Sequence, residues 1–182
     1  CMEYYLENLA EMFKKPNQWY LDRPNGMLYY IPRDAAQAPE SLEVYAPVLT
    51  TLISIQGKED NPAQRIRLKG LNFICSRGDY CSPPQKDPGN SVEGSSLEMR
   101  ASDPQSVCCA PGMIQMGFAH GCTVEGCSLT NFGLTGVVLT EGCSQCRVTG
   151  SILQEGGAGG VRITGGTDPE TPARHTHGNL VS

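Results

Sequence analysis

GMIQM at Gly112–Met116, GVVLT at Gly136–Thr140 and GVRIT at Gly160–Thr164 start 24 residues apart, since 136−112 and 160−136 both give 24. A second pattern runs beside the first. CTVEGCSLTNFG starts at Cys122 and CRVTGSILQEGG at Cys146, again a step of 24. Two interleaved patterns with one period mark a repeat architecture in which each repeat is one coil.

The segments are short, β-branched and bounded by glycine, so they read as strands. Alternation sets Met113, Val137 and Val161 on one side, followed two residues on by Gln115, Leu139 and Ile163. In the second pattern it turns Cys122, Cys146, Val124 and Val148 inward, and Thr123, Arg147, Glu125 and Thr149 outward. Gly126 and Gly150 then turn the chain where a positive φ is needed. Equivalent residues would stack at about 4.8 Å, the spacing of paired strands. No coil buries its own apolar side, so stability must come from stacking. The expected fold is all-β: a right-handed parallel β-helix, a single-stranded solenoid. A β-sandwich is the competing reading of the same spacing.

Outward from this core, RIRLKGLNFICS (Arg65–Ser76) aligns with the second pattern, Leu68 with Val124, Gly70 with Gly126 and Phe73 with Leu129. One coil therefore precedes the clear repeats. NLVS (Asn179–Ser182) reads as a third copy, and the coils are expected to be truncated there. Insertions are expected at 77–111, which carries Asp79, Asp87, Glu93, Glu98 and Asp103, and at 167–178. In a solenoid, insertions gather on one face, often the binding face. Residues 3–14 space Tyr5, Leu6, Leu9, Met12 and Phe13 as an amphipathic helix that Pro16 stops. Trp19–Leu21 and Met27–Ile31 then form a hairpin around Pro-Asn-Gly. The expected organisation is a helix-plus-hairpin segment over 1–45, packed on coils that occupy 46–182. The hairpin is expected to bury Trp19, Tyr29 and Tyr30; the alternative is an exposed aromatic platform of the kind that stacks on sugars.

The 182 residues are 39% hydrophobic and 18% charged, enough for a sizeable core. A net charge of −5 argues against a nucleic-acid partner, and no run is long enough to span a bilayer. Nine cysteines include the C-x-x-C at Cys143–Cys146 and the adjacent pair Cys108 and Cys109. A zinc site would want a second such pair or nearby histidine, so an inward column of small apolar cysteines is the expectation. A disulfide among Cys75, Cys81, Cys108 and Cys109 stays open if the protein is exported. His175 and His177 sit two apart in a loop beside Asp168 and Glu170. A solvated loop is expected there, and neither a metal nor a cofactor is assigned.

YLEN, WYLD and LYYIP, between Tyr5 and Pro32, with RIRLKGLNF and GAGGVRI further on, resemble bacterial β-helix proteins of the glycoside-hydrolase type, within the pectin-lyase-like superfold. The resemblance covers nearly the whole chain outside 77–111. It implies a secreted or periplasmic carbohydrate-active enzyme whose partner is a polysaccharide or oligosaccharide. Those relatives carry an Asp shortly before GAGG; here the matching residue is Glu155.

Glycoside hydrolysis uses two carboxyl groups flanking the bond. One repeat before Glu155, at 155−24, stands Asn131, which is not an acid. The expectation is that Glu155 lines a groove as acid, base or nucleophile and that Asn131 holds a sugar hydroxyl. A partner carboxylate would come from an insertion, a shifted column or coils beyond Ser182. The alternative for both residues is capping a turn. Two other functions stay in view. A polysaccharide lyase would draw on Arg147 and Arg162, outward on adjacent strands, with Arg65 and Arg67. A binding-only solenoid would need no paired carboxylates.

Overall fold

The computed structural model describes residues 8–78, 110–166 and 170–182. The chain divides into two units, Cys1–Val44 and Tyr45–Ser182. In the first, β1 (Trp19–Asp22) and β2 (Met27–Tyr30) pair antiparallel. The second holds β3 (Ile53–Gln56), β4 (Ala63–Gln64), β5 (Arg67–Lys69), β6 (Asn72–Ser76), β7 (Gly112–Gly117), β8 (Ala119–His120), β9 (Thr123–Glu125), β10 (Ser128–Phe132), β11 (Thr135–Leu139), β12 (Arg147–Thr149), β13 (Ile152–Gln154), β14 (Val161–Ile163) and β15 (Leu180–Val181).

Every strand pairing described in the second unit is parallel. The chain visits three sheets in rotation. β5, β9, β12 and β15 line up in one, β6, β10 and β13 in the next, and β3, β7, β11 and β14 in the third. β4 and β8 form a short two-stranded sheet between visits.

The second sequence pattern keeps its register. Thr123 pairs with Arg147, Val124 with Val148 and Ser128 with Ile152, each 24 residues on. The earlier repeat also aligns as expected, Leu68 on Val124 and Phe73 on Leu129. In the last repeat Arg147 meets Leu180, so Asn179 takes the place of the inward cysteines. Its side-chain oxygen accepts from Cys146 N at 2.8 Å and its amide donates to Cys143 O at 3.0 Å.

The first pattern needs a correction. Val137 pairs with Val161, but its partner on β7 is Ile114, and Gly112 faces Thr135 rather than Gly136. The step there is 23. The bridge from His120 to Ser144 restores 24, so the later repeat carries one extra residue between Leu139 and Ser144. Phe118 and Gly142, both at positive φ, flank that adjustment. The shift turns Ile114 and Met116 into the core in place of Gln115, while Met113 is buried as well. Burying Gln115 there would have cost an unpaired amide.

Inside, Ile55, Ile114, Met116, Val124, Leu129, Phe132, Val137, Leu139 and Val148 form one cluster with the cysteines. Cys122, Cys127, Cys143 and Cys146 are buried free thiols, as expected for small apolar fillers. Cys81, Cys108 and Cys109 lie outside the described residues. Corners repeat as columns of left-handed residues: Gly70, Gly126 and Gly150 in one, and Arg65, Gly121, Gln145 and Gly178 in another.

In the first unit the expected helix is not formed over the described part. A single 3-10 turn, Ala10–Met12, stands where residues 8–14 were expected to continue it; residues 3–7 lie outside the description. Asn8 explains the break. It sits at φ 55, and its side chain clamps Leu21, accepting from Leu21 N at 2.7 Å and donating to Leu21 O at 2.9 Å. The hairpin forms as read, but the expected burial of its rings does not occur. Trp19 is 60% exposed, Tyr29 44% and Tyr30 38%. Tyr20 instead stacks on Tyr29 with ring centroids 6.1 Å apart and meets Phe13 at 6.3 Å.

Candidate functional site

The two residues singled out in the sequence are neighbours. Thr130 on β10 pairs with Gln154 on β13, so Asn131, within β10, and Glu155, just past β13, follow side by side. On the other flank Thr130 pairs with Ile74 and Phe132 with Ser76, which sets Cys75 opposite Asn131. All three are left-handed, Cys75 at φ 58, Asn131 at φ 55 and Glu155 at φ 53. Asn adopts this conformation readily, whereas Glu pays roughly 1–2 kcal/mol for it.

The stretch after Glu155 explains how that strain is held. Gly157 N donates to Phe132 O at 2.9 Å and Ala158 N to Leu134 O at 2.8 Å. Gly156 lies against the Phe132 ring so closely that a Cβ would meet it at 1.9 Å. The glycines of GAGG thus let this loop lie flat on the preceding coil and leave Glu155 at its start.

Both side chains are exposed, and neither makes a hydrogen bond or ion pair with a described residue. They do not cap turns through their side chains. Beside them, alternation points Asn72, Ser128 and Ile152 outward in one row and Ile74, Thr130 and Gln154 in the next. The outer face of this sheet therefore carries hydroxyls and amides next to one carboxylate. Cys75, Ser128, Thr130 and Gln154 were missed in the sequence. The alignment of Phe73 with Leu129 contained them, because residues flanking an inward position must face out.

Within the column of Cys75, Asn131 and Glu155 there is one carboxylate. Nothing described supplies a second in register with it. The acidic residues of 79–109 lie outside the described residues.

The histidines of the second insertion are strand-like rather than loose. His177 bridges Ser144, which bridges His120, and His175 bridges Gly166. Among the described residues no three His, Cys, Asp or Glu side chains converge as metal ligands. Arg147 and Arg162 are not on adjacent strands of one sheet: Arg147 belongs to β12 and Arg162 to β14, in different sheets. Arg147 shares its sheet with Arg67 and Lys69, both of which pair with Glu125, Lys69 at 3.1 Å. No helix among the described residues is long and apolar enough to cross a membrane.

Compared with known proteins, the chain matches no family model, no curated protein and no solved structure.

Proposed function

We propose that this chain winds as a right-handed parallel β-helix and engages a polysaccharide across the outer face of β6, β10 and β13. Glu155 serves there as acid, base or nucleophile of a glycoside hydrolase, and Asn131 holds a sugar hydroxyl. Rotation through three parallel sheets supports the winding, and crossovers between parallel strands run right-handed almost without exception. Export to the periplasm or beyond the cell goes with this reading.

One observation carries the site: Asn131 and Glu155 stand exposed and side by side, with no side-chain bond to a described residue. Glu155 alone bears a conformational cost there, and a costly exposed residue is a candidate for chemistry. The neighbouring hydroxyls and amides suit sugar hydroxyls, which both donate and accept.

A second reading has its own support. Hydrolysis needs two carboxyl groups, and this column supplies one. A binding-only solenoid uses the same face without a partner acid. Hydrolysis and retention assays on a panel of complex polysaccharides, run with wild type and Glu155→Gln, separate the two. Hydrolysis requires that the variant lose turnover while still binding. Binding without turnover in either protein selects the second reading, and full turnover in the variant removes Glu155 from the chemistry.

A further inference from the structure

We infer that the first unit carries a separate subsite for a neutral sugar, built on Trp19. A depression of about 240 Å³ is lined by Asn8, Leu9, Met12, Phe13, Asn17, Gln18 and Trp19. None of the lining residues is charged. That is the character of a site for a neutral ring rather than a uronate or another anion, and the volume suits one sugar more than a long chain.

The chemistry of the lining is specific. Trp19 offers a flat apolar face, 60% exposed, and its indole N–H makes no hydrogen bond with a described residue. A ring of this kind gives apolar contact at one face and a donor at its edge. The two amides beside it are locked by their oxygens. Gln18 Oε1 accepts from Lys14 N at 2.9 Å and Lys15 N at 2.8 Å, and Asn17 Oδ1 accepts from Tyr30 Oη at 3.1 Å. With both oxygens engaged, each amide must turn its NH₂ group away from those bonds. The donors are fixed before a ligand arrives, which lowers the cost of binding.

The hairpin register holds this arrangement. Trp19 pairs with Tyr30, and Tyr30 in turn anchors Asn17. Asn17 takes φ 66, a conformation that suits asparagine at the tight bend into β1. The choice of a sugar as ligand rests on the carbohydrate reading above. The subsite itself does not depend on Glu155.

The chain has a single tryptophan, so its fluorescence reports this site alone. The experiment titrates the full chain with neutral cello-, xylo- and arabino-oligosaccharides, using oligogalacturonides as the charged control. Emission and acrylamide quenching are read at each step. The expected result is a saturable blue shift and protection from quenching with a neutral oligosaccharide, and a weaker response to the charged control.

Gln18→Glu and Asn17→Asp keep the locking oxygens and remove the donors, so the turn is retained. Each is expected to weaken binding about tenfold, the size of one lost hydrogen bond, with thermal unfolding unchanged. Glu155→Gln is expected to bind as wild type does at Trp19. No saturable response to any neutral oligosaccharide overturns the subsite, whatever the polysaccharide assays show. So does a response that both donor-deleting variants retain in full. A persistent Trp19 response in a protein without hydrolytic activity overturns only the catalytic reading.

Discussion

Asn131 and Glu155 occupy the same corner of successive repeats, both in the left-handed region at φ 55 and φ 53, directly after the paired residues Thr130 and Gln154. Asparagine fits that corner and glutamate does not. Replacing Glu155 with Asn or Gly should therefore stabilise the protein by about 1 kcal/mol. Chemical denaturation of Glu155→Asn measures this. A loss of stability would mean that Glu155 makes a contact the fold depends on.

The glycine that follows behaves in the opposite way. A Cβ at Gly156 meets the buried Phe132 ring at 1.9 Å, whereas one at Gly150 meets nothing within 4 Å. Gly150→Ala should cost only the left-handed penalty, about 1 kcal/mol. Gly156→Ala must displace an aromatic ring and should cost about 1–3 kcal/mol, as overpacking does. Urea midpoints of the two variants should fall in that order.

Thiol chemistry offers a third check. The neighbouring Cys146 thiol, with burial, pushes the Cys143 pKa up, and the Cys143 thiol beside it pulls Cys146 the other way. Burial also raises Cys122. All three are sealed in the core with Cys127, while Cys75 is half-buried at the corner. Iodoacetamide at neutral pH should label Cys75 and spare Cys122, Cys127, Cys143 and Cys146 until the protein unfolds. Peptide mapping by mass spectrometry reads the pattern.

The ion pairs on the β5–β9–β12 face should matter little to stability. Arg67 first, then Lys69, holds the Glu125 carboxyl below its ordinary value. Because the folded value is depressed, this contribution is present above the unfolded carboxylate pKa and disappears as acid protonates the folded group. The partners are largely exposed, so solvent and salt screen the attraction. Glu125→Gln is expected to leave the neutral-pH melting temperature nearly unchanged, and to remove a small part of the acid dependence below the usual glutamate range.

Much of the architecture was written in glycine and in apolar alternation. Gly126 and Gly150 marked their corner because no other residue takes a left-handed turn so cheaply. Val124, Val148 and Leu129 marked the inward side because each had polar neighbours on both flanks, and Phe73 followed from its alignment with Leu129. The slip at Gly112 was not legible, since a one-residue adjustment between Leu139 and Ser144 leaves the spacing of the glycines untouched. The exposure of Trp19 was also hidden. Aromatic content says what could be buried, and only a facing layer decides whether it is. At the candidate site the Asn131–Glu155 adjacency followed from the 24-residue period, whereas Cys75 lies outside that period, 56 residues separating Arg67 from its partner Thr123, and only the alignment of Phe73 with Leu129 places it.

The winding itself is best tested by inter-strand nuclear Overhauser effects on labelled protein. Stacked coils predict amide contacts running from Leu68 to Val124 to Val148 and from Phe73 to Leu129 to Leu153, all in the parallel pattern. Strong inter-strand Hα–Hα contacts among these residues, the mark of close antiparallel pairs, would contradict the stacking and with it the ladder that places Glu155 beside Asn131.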